Sequence, residues 1–409
     1  MPMPPPDPIR EHPGGGLSAA VAPSLLREMN QRLLLDRLFS HGPATRPQLA
    51  RDAGLSQPTV IAALEGLERA GLVTAGHAES QQLGRPARSY AANAAAGTVA
   101  GIDIGRGWLH VRVADLLGTV LSRLEVRNTA QGADALVDVT AQSLQQAVTA
   151  AGLDMGQLTH TAIGSPGVLD PRRGGVRYAA NLPGWHQAGL AQALVERIGH
   201  SVSVDNDANL AALAELSHGA ARGLTDFAYL TVGTGVGVGL VLDGRVYRGV
   251  TGAAGEVGYL PIGDRAAGSR VRTERGMFEE VVAADAVVRY AEEAGVPGPL
   301  TAEAVFQLAR EGRPQALAAV ARQAEQLGLA VASIAAFLDP EAIVLGGRIG
   351  QHLDLLEPGI TAALQEVTPM RPTLIAGELG EEAVVCGAVV RGTALARETV
   401  FAERLTVAG

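Results

Sequence analysis

Residues 230 to 242 read Leu230-Thr231-Val232-Gly233-Thr234-Gly235-Val236-Gly237-Val238-Gly239-Leu240-Val241-Leu242. Apolar arms flank a Gly-Thr-Gly centre, the pattern of strand, turn and strand. Glycine weakens a strand interior, because it brings no side chain to pack and loses the most backbone freedom. A tight hairpin needs one or two glycines, whereas four stand here at alternate positions. Close approach of the backbone to a phosphate or a nucleotide explains the excess.

Working outward, strand-like runs at Val99–Ile104, Leu109–Ala114 and Val120–Val126 precede a helix from about Ala133 to Ala151. Further runs at Ala228–Val232, Val236–Leu242 and Ala342–Leu345 alternate with helices, the last ending in Gly346-Gly347. Such alternation predicts α/β domains with ligands at the loops. Glycine-marked strand ends near Gly105 and Gly233 suggest two similar halves facing a cleft, although no strict repeat is visible.

Acidic groups gather at the same strand ends. In Asp103-Ile104-Gly105 the carboxylate suits a metal ion near phosphate, but the pattern is also common in turns. Val204-Asp205-Asn206-Asp207-Ala208-Asn209 joins a strand at Ser201–Val204 to an Ala-rich helix. Its carboxylates and amides can bond sugar hydroxyls, and one carboxylate can take a proton from a hydroxyl nucleophile. Plain helix capping explains the same residues equally well. Glu256, in Ala254-Gly255-Glu256-Val257-Gly258-Tyr259, and Glu279, in Gly276-Met277-Phe278-Glu279, add two carboxylates in loop-like settings. His110, His186 and His200 lack metal-ligand spacing and read as structural or surface residues.

The amino-terminal part has a different texture. Residues 1–20 are rich in Pro and Gly and predict a disordered tail. Leu25, Met29, Leu33, Leu34 and Leu38 recur at helical spacing from Ser24 to Phe39, and Gly42-Pro43 stops that helix. A short helix at Arg46–Asp52, a turn at Ala53-Gly54-Leu55 and a helix from Gln57 to about Ala70 follow, with Ser56 as N-cap and Pro58 in the first turn. Extended pieces at Leu72–Ala75 and Ala87–Ala91 flank Gly84-Arg85-Pro86, completing a winged helix-turn-helix. Leu49, Leu55, Val60, Leu64 and Leu67 would form its core. Ser56, Gln57 and Thr59 would then face DNA, where Gln bonds adenine bidentately. Arg46 suits a backbone phosphate, and Arg85 on its stiff tip suits a phosphate or the minor groove. The competing reading is a small helical domain for protein contacts.

Charge distribution permits DNA as a partner. The formal charge is -9, but residues to Asn93 carry 9 Arg against 8 acidic groups, about +1, and the rest 24 against 34, about -10. Hydrophobic residues at 47% and charged residues at 18% supply real cores, built without much aromatic content (3%). The single cysteine, Cys386, excludes an intrachain disulfide and a multi-cysteine zinc site. No signal sequence and no apolar run near about 18 residues is present. The longest, Leu327–Leu338, reads as a buried Ala-rich helix. A soluble cytoplasmic protein with no membrane partner is expected.

Taken in order, these motifs resemble the ROK family (repressor, open reading frame, kinase), in particular its repressors of the xylose and N-acetylglucosamine type. The resemblance runs from about Ser24 to the end. It rests on Gly84-Arg85-Pro86, Asp103-Ile104-Gly105, Gly164-Ser165-Pro166-Gly167, Asn181-Leu182-Pro183-Gly184-Trp185, Asn206-Asp207-Ala208-Asn209, Gly233-Thr234-Gly235, Ala254-Gly255-Glu256 and Gly346-Gly347. It implies an actin-like, sugar-kinase-type body of two subdomains, a sugar or sugar-phosphate effector, and a homodimer or homotetramer. The domains would be a winged helix-turn-helix at 21–95, a small subdomain at 96–207 completed by a helix at 395–409, and a large subdomain at 208–394. By position Asp207 matches the family's catalytic base; Asn206, Glu256 and Glu279 match sugar contacts, Tyr259 alters that subsite, and Asn181 lies in a nearby loop. Asp103, Gly105, Gly233, Thr234, Gly235, Gly346 and Gly347 would be vestigial phosphate loops.

The departures bear on activity. Family kinases continue the first phosphate loop with Gly-Thr, where Arg106 and Gly107 stand here. Losing the hydroxyl removes a phosphate contact, and a bulky arginine should crowd the loop. Tyr259 replaces the family's histidine and Met277 one of its cysteines, so its zinc ligands are lacking and no cofactor is expected; Met277 and Phe278 would fill that region as an apolar cluster. The reading is a sugar-responsive, DNA-binding repressor with a catalytically inactive kinase-like body. An ATP-dependent sugar kinase with an amino-terminal appendage is the alternative, and a sensor contacting protein partners the third.

Overall fold

The structure is a computed structural model that describes residues 23–77, 88–170, 175–177, 189–263 and 276–408. The expected disordered tail, the wing tip with Arg85, and the Asn181 loop lie outside the described residues. The chain divides into two compact units, Met1–Asn93 with Glu403–Gly409, and Ala94–Ala402. The break between Asn93 and Ala94 falls two residues before the expected boundary, and the chain's last residues group with the amino-terminal unit.

That first unit contains α1 (Pro23–His41), β1 (Ala44–Thr45), α2 (Arg46–Ala53), α3 (Gln57–Arg69), β2 (Val73–His77) and β3 (Arg88–Ala92). The strands form an antiparallel sheet in the order β1-β3-β2. Local chemistry sets the boundaries. Gln48 Oε1 accepts the Thr45 backbone N–H at 2.8 Å ahead of α2, and Gly54 closes α2 at φ +65, a region other residues avoid. Ser56 Oγ accepts the Thr59 N–H at 3.3 Å to start α3. Leu34, Leu38, Leu49, Val60, Leu64, Leu67 and Tyr90 are buried together, whereas Leu55, expected in that core, is half-buried. Leu25, Met29 and Leu33 share the helical spacing but are exposed; only Leu34, Leu35 and Leu38 of that helix's leucines are buried. Arg404, near the carboxy-terminal end, donates to the Gly71 carbonyl at 3.3 Å.

The second unit begins with β4 (Thr98–Ile104), β5 (Trp108–Asp115), β6 (Val120–Arg127), α4 (Ala133–Ala150), β7 (Leu158–Ser165), β8 (Val168–Asp170), β9 (Gly175–Arg177), α5 (Leu190–Ile198), β10 (Val202–Asn206) and α6 (Asp207–His218). Its first sheet has the order β10-β7-β4-β5-β6. β4, β5 and β6 form an antiparallel meander, and β7 and β10 add in parallel. Ile102, Val111, Leu136, Leu144, Ile163 and Leu194 join sheet, α4 and α5 in one core.

There follow β11 (Phe227–Val232), β12 (Val236–Leu242), β13 (Arg245–Tyr247), α7 (Met277–Val282), α8 (Ala284–Glu293), α9 (Ala302–Arg310), α10 (Pro314–Leu338), β14 (Ala342–Gly346), α11 (Gly347–Gly350), α12 (Leu353–Val367), β15 (Thr373–Ala376) and α13 (Ala383–Ala408). The second sheet, β13-β12-β11-β14-β15, repeats the plan of the first: an antiparallel meander, then two parallel strands. The halves are therefore alike in topology where the residues show no repeat. Gly328 of α10 lets α12 approach closely, since a Cβ there would meet Ala363 Cβ at 2.5 Å. The apolar run expected to be wholly buried in α10 ends outward, with Phe337 92% exposed.

α13 starts at Ala383, twelve residues earlier than the expected 395, and packs on the first sheet. A Cβ on Gly101 would meet the Val389 backbone nitrogen at 2.7 Å. Glu215, fully buried near the end of α6, accepts N–H bonds from Ala220 (2.8 Å), Glu378 (3.2 Å) and Leu379 (3.0 Å). Among the described residues, no helix is long and apolar enough to cross a membrane.

Candidate functional site

Two hairpin turns, one from each sheet, border a common cavity. The β4–β5 turn is closed by Gly105 N–H on the Trp108 carbonyl at 3.0 Å, and the β11–β12 turn by Gly233 N–H on the Gly235 carbonyl at 2.9 Å. Asn128 Nδ2 donates to the Gly105 carbonyl at 2.8 Å and steadies the first turn. Asp103, Asp207, Glu256 and Glu279 line the cavity with both turns. Four carboxyls around one polar cavity suit a ligand rich in hydroxyl donors.

Asp207 is the first residue of α6, and Asn206 is its N-cap. Asn206 Oδ1 accepts the Asn209 N–H at 3.1 Å while its Nδ2 donates to the Gly167 carbonyl at 3.1 Å. Capping and cavity lining are thus the same residue's two jobs. Burial, with the Asp103 charge added, pushes the Asp207 carboxyl up to about 7, against the lowering bond from Ala208 N–H at 2.8 Å. Burial first, then Asp207 and Glu279, pushes Glu256 up to about 7 as well. A carboxyl at that value can accept a proton from a hydroxyl or donate one to an oxygen. Glu279, expected in a loop, stands in the first turn of α7, and Val236 N–H lies 3.4 Å from its Oε2. Tyr259 borders the cavity and is 41% exposed.

The alternating glycines divide by purpose. Gly233, Gly235 and Gly237 line the cavity. Gly237 and Gly239 also lie under α6: a Cβ on Gly239 would meet the Ala208 carbonyl oxygen at 2.3 Å, and one on Gly237 the Ala208 Cβ at 3.3 Å. The excess of glycine therefore serves helix packing as well as lining the cavity, a correction to the reading by phosphate alone. Gly346 likewise makes room for Tyr229, whose hydroxyl would lie 2.0 Å from an added Cβ, and does not line the cavity.

A second cavity adjoins the first through Asp103, Gly105, Arg106, Asp207, Gly233 and Thr234, and continues past Gly347 and Arg348. Arg106 does not crowd its loop as expected: it is exposed and borders both cavities. His110, read as structural or surface, faces Asp103 at 3.3 Å. The bond to Asp103 pushes the His110 ring up, while burial pushes Asp103 up. Counting outward from the Gly105–Trp108 turn pairs position 103 with 110, so turn length was the signal for this contact. Asp205, grouped with the ligand carboxylates by sequence, instead holds Arg248 at 2.9 Å and Arg391 at 3.2 Å. His200 bonds Thr161 at 2.8 Å, away from both cavities. Asn181 and His186 lie outside the described residues.

In the amino-terminal unit, Ser56 and Gln57 are exposed and Thr59 half-exposed at the start of α3. Arg46 is half-buried and lies 5.3 Å over the Tyr90 ring, so its stem is packed rather than free. For zinc, Phe278 is buried in the core and Tyr259 and Met277 offer no imidazole or thiolate. The lone Cys386 accepts from Arg112 Nη1 at 2.7 Å. These residues do not fit a His-plus-three-thiolate ion.

Comparison with known proteins matches this geometry. The ROK family model matches residues 99–393. A glucokinase of Halalkalibacterium halodurans is 32% identical over 274 residues, 63% of this chain and 82% of that protein. A xylose repressor of Caldicellulosiruptor bescii is 27% identical over 340 residues, 80% of this chain and 84% of the repressor. A solved ROK family transcriptional regulator, a homologue of the E. coli MLC protein, has a TM-score of 0.75 at 24% identity, covering 94% of this chain and 98% of its own, a likeness of fold. With the matched segment spanning both sheets and both turns, the chain belongs to the ROK family.

Proposed function

We propose that this chain is a sugar-responsive transcriptional repressor: a winged helix-turn-helix reads operator DNA, and the kinase-like body binds a sugar without phosphorylating it. The carrying observation is the amino-terminal unit itself, three helices with an antiparallel sheet and Gln57 exposed at the start of α3. The xylose repressor match, 80% of the chain, is longer than the Ala94–Ala402 unit and so extends into that segment. Ser56, Gln57 and Thr59 would meet base edges, with Arg46 and Arg85 toward phosphates. Asn181, Asn206, Asp207, Glu256, Tyr259 and Glu279 would hold the sugar. The protein would act in the cytoplasm as a homodimer or homotetramer, without zinc or other cofactor.

Ligand binding must then favour one of two states with different DNA affinity. The test is binding of the purified chain to its own upstream DNA at defined salt, with and without sugars. Specific, salt-sensitive binding altered by one sugar is the expected result. Absence of specific binding under every condition would remove this reading.

A second reading has its own support. Asp207 is retained in the cavity, its carboxyl raised to about 7, and the glucokinase relative matches at 32%. The body would then be an ATP-dependent sugar kinase. Coupled phosphorylation of glucose at an ordinary kinase rate would establish it and sink the inactive-body reading.

A further inference from the structure

Asp205 stands in β10, directly before Asn206 and Asp207. Its side chain is only 13% exposed, and each carboxylate oxygen takes an arginine from a different part of the chain. Oδ1 accepts Arg248 Nε at 3.0 Å and lies 2.9 Å from its Nη2, while Oδ2 accepts Arg391 Nε at 3.2 Å. Charge-assisted bonds of this kind, largely out of water, are stronger than surface pairs and costly to leave half-made.

Arg248 follows β13 of the second sheet and opens the loop that carries Glu256. The Arg248 carbonyl accepts the Ala254 N–H at 3.2 Å, which closes that loop two residues ahead of Glu256. Gly255 then presses on β12, where a Cβ would overlap the Val238 carbonyl oxygen. The Asp205–Arg248 pair thus ties the strand end presenting Asn206 and Asp207 to the loop presenting Glu256, and those three residues line the first cavity. Arg391 lies on α13, against the first sheet: a Cβ on the adjacent Gly392 would meet Ala162 at 3.5 Å. One unbroken helix carries both Arg391 and the residues from Glu403 onward that group with the amino-terminal unit.

We infer that Asp205 is the residue that couples the ligand cavity to α13, with Arg248 on the ligand side and Arg391 on the helix side. The inference rests on the sugar-sensor reading and names how that sensor is regulated. A sugar that bonds Asn206 and Glu256 together makes both contacts only while Arg248 holds the two segments in place, so it favours the arrangement with Asp205 engaged. The same carboxylate holds Arg391, which passes that preference to α13 and so to operator affinity. Asp205 and its two arginines act as positioning residues, and neither arginine lines the first cavity.

The experiment measures two affinities of the full-length chain and how each depends on the other ligand. Operator affinity is read by fluorescence anisotropy on the chain's own upstream DNA, with and without glucose, mannose, N-acetylglucosamine, xylose or the phosphate ester of each. Affinity for the same compounds is read by calorimetry without DNA. In the native chain one of them is expected to change operator affinity about tenfold. R391Q should keep its Kd for that compound within about twofold, while the effect on operator affinity falls to about twofold or less; R391K should restore part of the effect. R248Q should weaken that compound's binding about tenfold. D205N should show both losses, and adding R391Q to it should reduce the coupling no further. Arg391 is partly exposed, so R391Q keeps the fold even where D205N does not, and the Tm of each variant checks this. A native-sized effect in R391Q, or an unchanged Kd in R248Q, would overturn the inference alone. So would equal losses of ligand binding and coupling in R391Q, which mark a merely structural pair. A native chain that binds none of these compounds, or whose operator affinity ignores the one it binds, would overturn the sensor reading and this inference with it.

Discussion

At the scale of single residues, Asp207 and Glu256 govern how the body answers pH. Folded, both carboxyls hold their protons to about 7; unfolded, they release them near 3.8 and 4.5. Between those values the folded chain binds more protons than the unfolded chain, so stability falls as pH rises from about 4 to about 7. The ligand-free protein should lose on the order of 5 °C in Tm between pH 5 and pH 8. Asp207→Asn should flatten that slope, and a melt with pH-independent Tm for the native chain would contradict the assignment. These two residues were legible in the sequence as candidate ligands. His110 was missed, because its partner follows only once the turn length is used to fix the strand register, and Arg106 was legible only as a departure from the family's loop. Asp205 looked equivalent to Asp207, yet Asp205 stands in β10 and pairs with Arg248 and Arg391 while Asp207 opens α6, so the change from strand to helix between them gives the two different duties.

At the scale of elements, β12 separates two uses of glycine that one motif conflates. Gly239→Ala drives a Cβ to 2.3 Å from the Ala208 carbonyl oxygen, and overpacking of this kind costs about 2 kcal/mol or more. Gly233→Ala has no atom nearer than 3.9 Å and should change stability by less than about 0.5 kcal/mol. Paired urea unfolding curves decide it; equal midpoint shifts would refute the division. The helix boundaries of α2 and α3 were readable because caps and prolines are local signals. The matching plans of the two sheets were not, since pairing order is a long-range property that distinct sequences satisfy equally well.

At the scale of the whole molecule, an acidic chain is proposed to bind DNA through a segment that is nearly neutral. Affinity should then depend on a few specific contacts, with a shallow salt slope for so long a chain. Gln57→Ala, exposed at the α3 start, should weaken operator binding about tenfold and relax preference at one base pair, with the fold's Tm unchanged. A band-shift series over single-base operator variants measures this, and uniform weakening across all variants would reassign Gln57 to the backbone. If a sugar alters operator affinity by some factor, operator DNA must alter sugar affinity by that same factor. Titrating the effector with and without DNA checks that equality.

Glu215 gives α6 a mechanical character. The helix begins at Asp207 in the cavity, and Glu215 clamps its far end, about 12 Å along the axis, to the backbone at 378 and 379. Side-chain clamps on exposed loops slip; a buried carboxylate holding three backbone hydrogens does not, because letting go strands every one of them in a dry interior. α6 is in effect a rod that runs from the cavity wall at one end to a pinned joint at the other, on the segment that leads into α13.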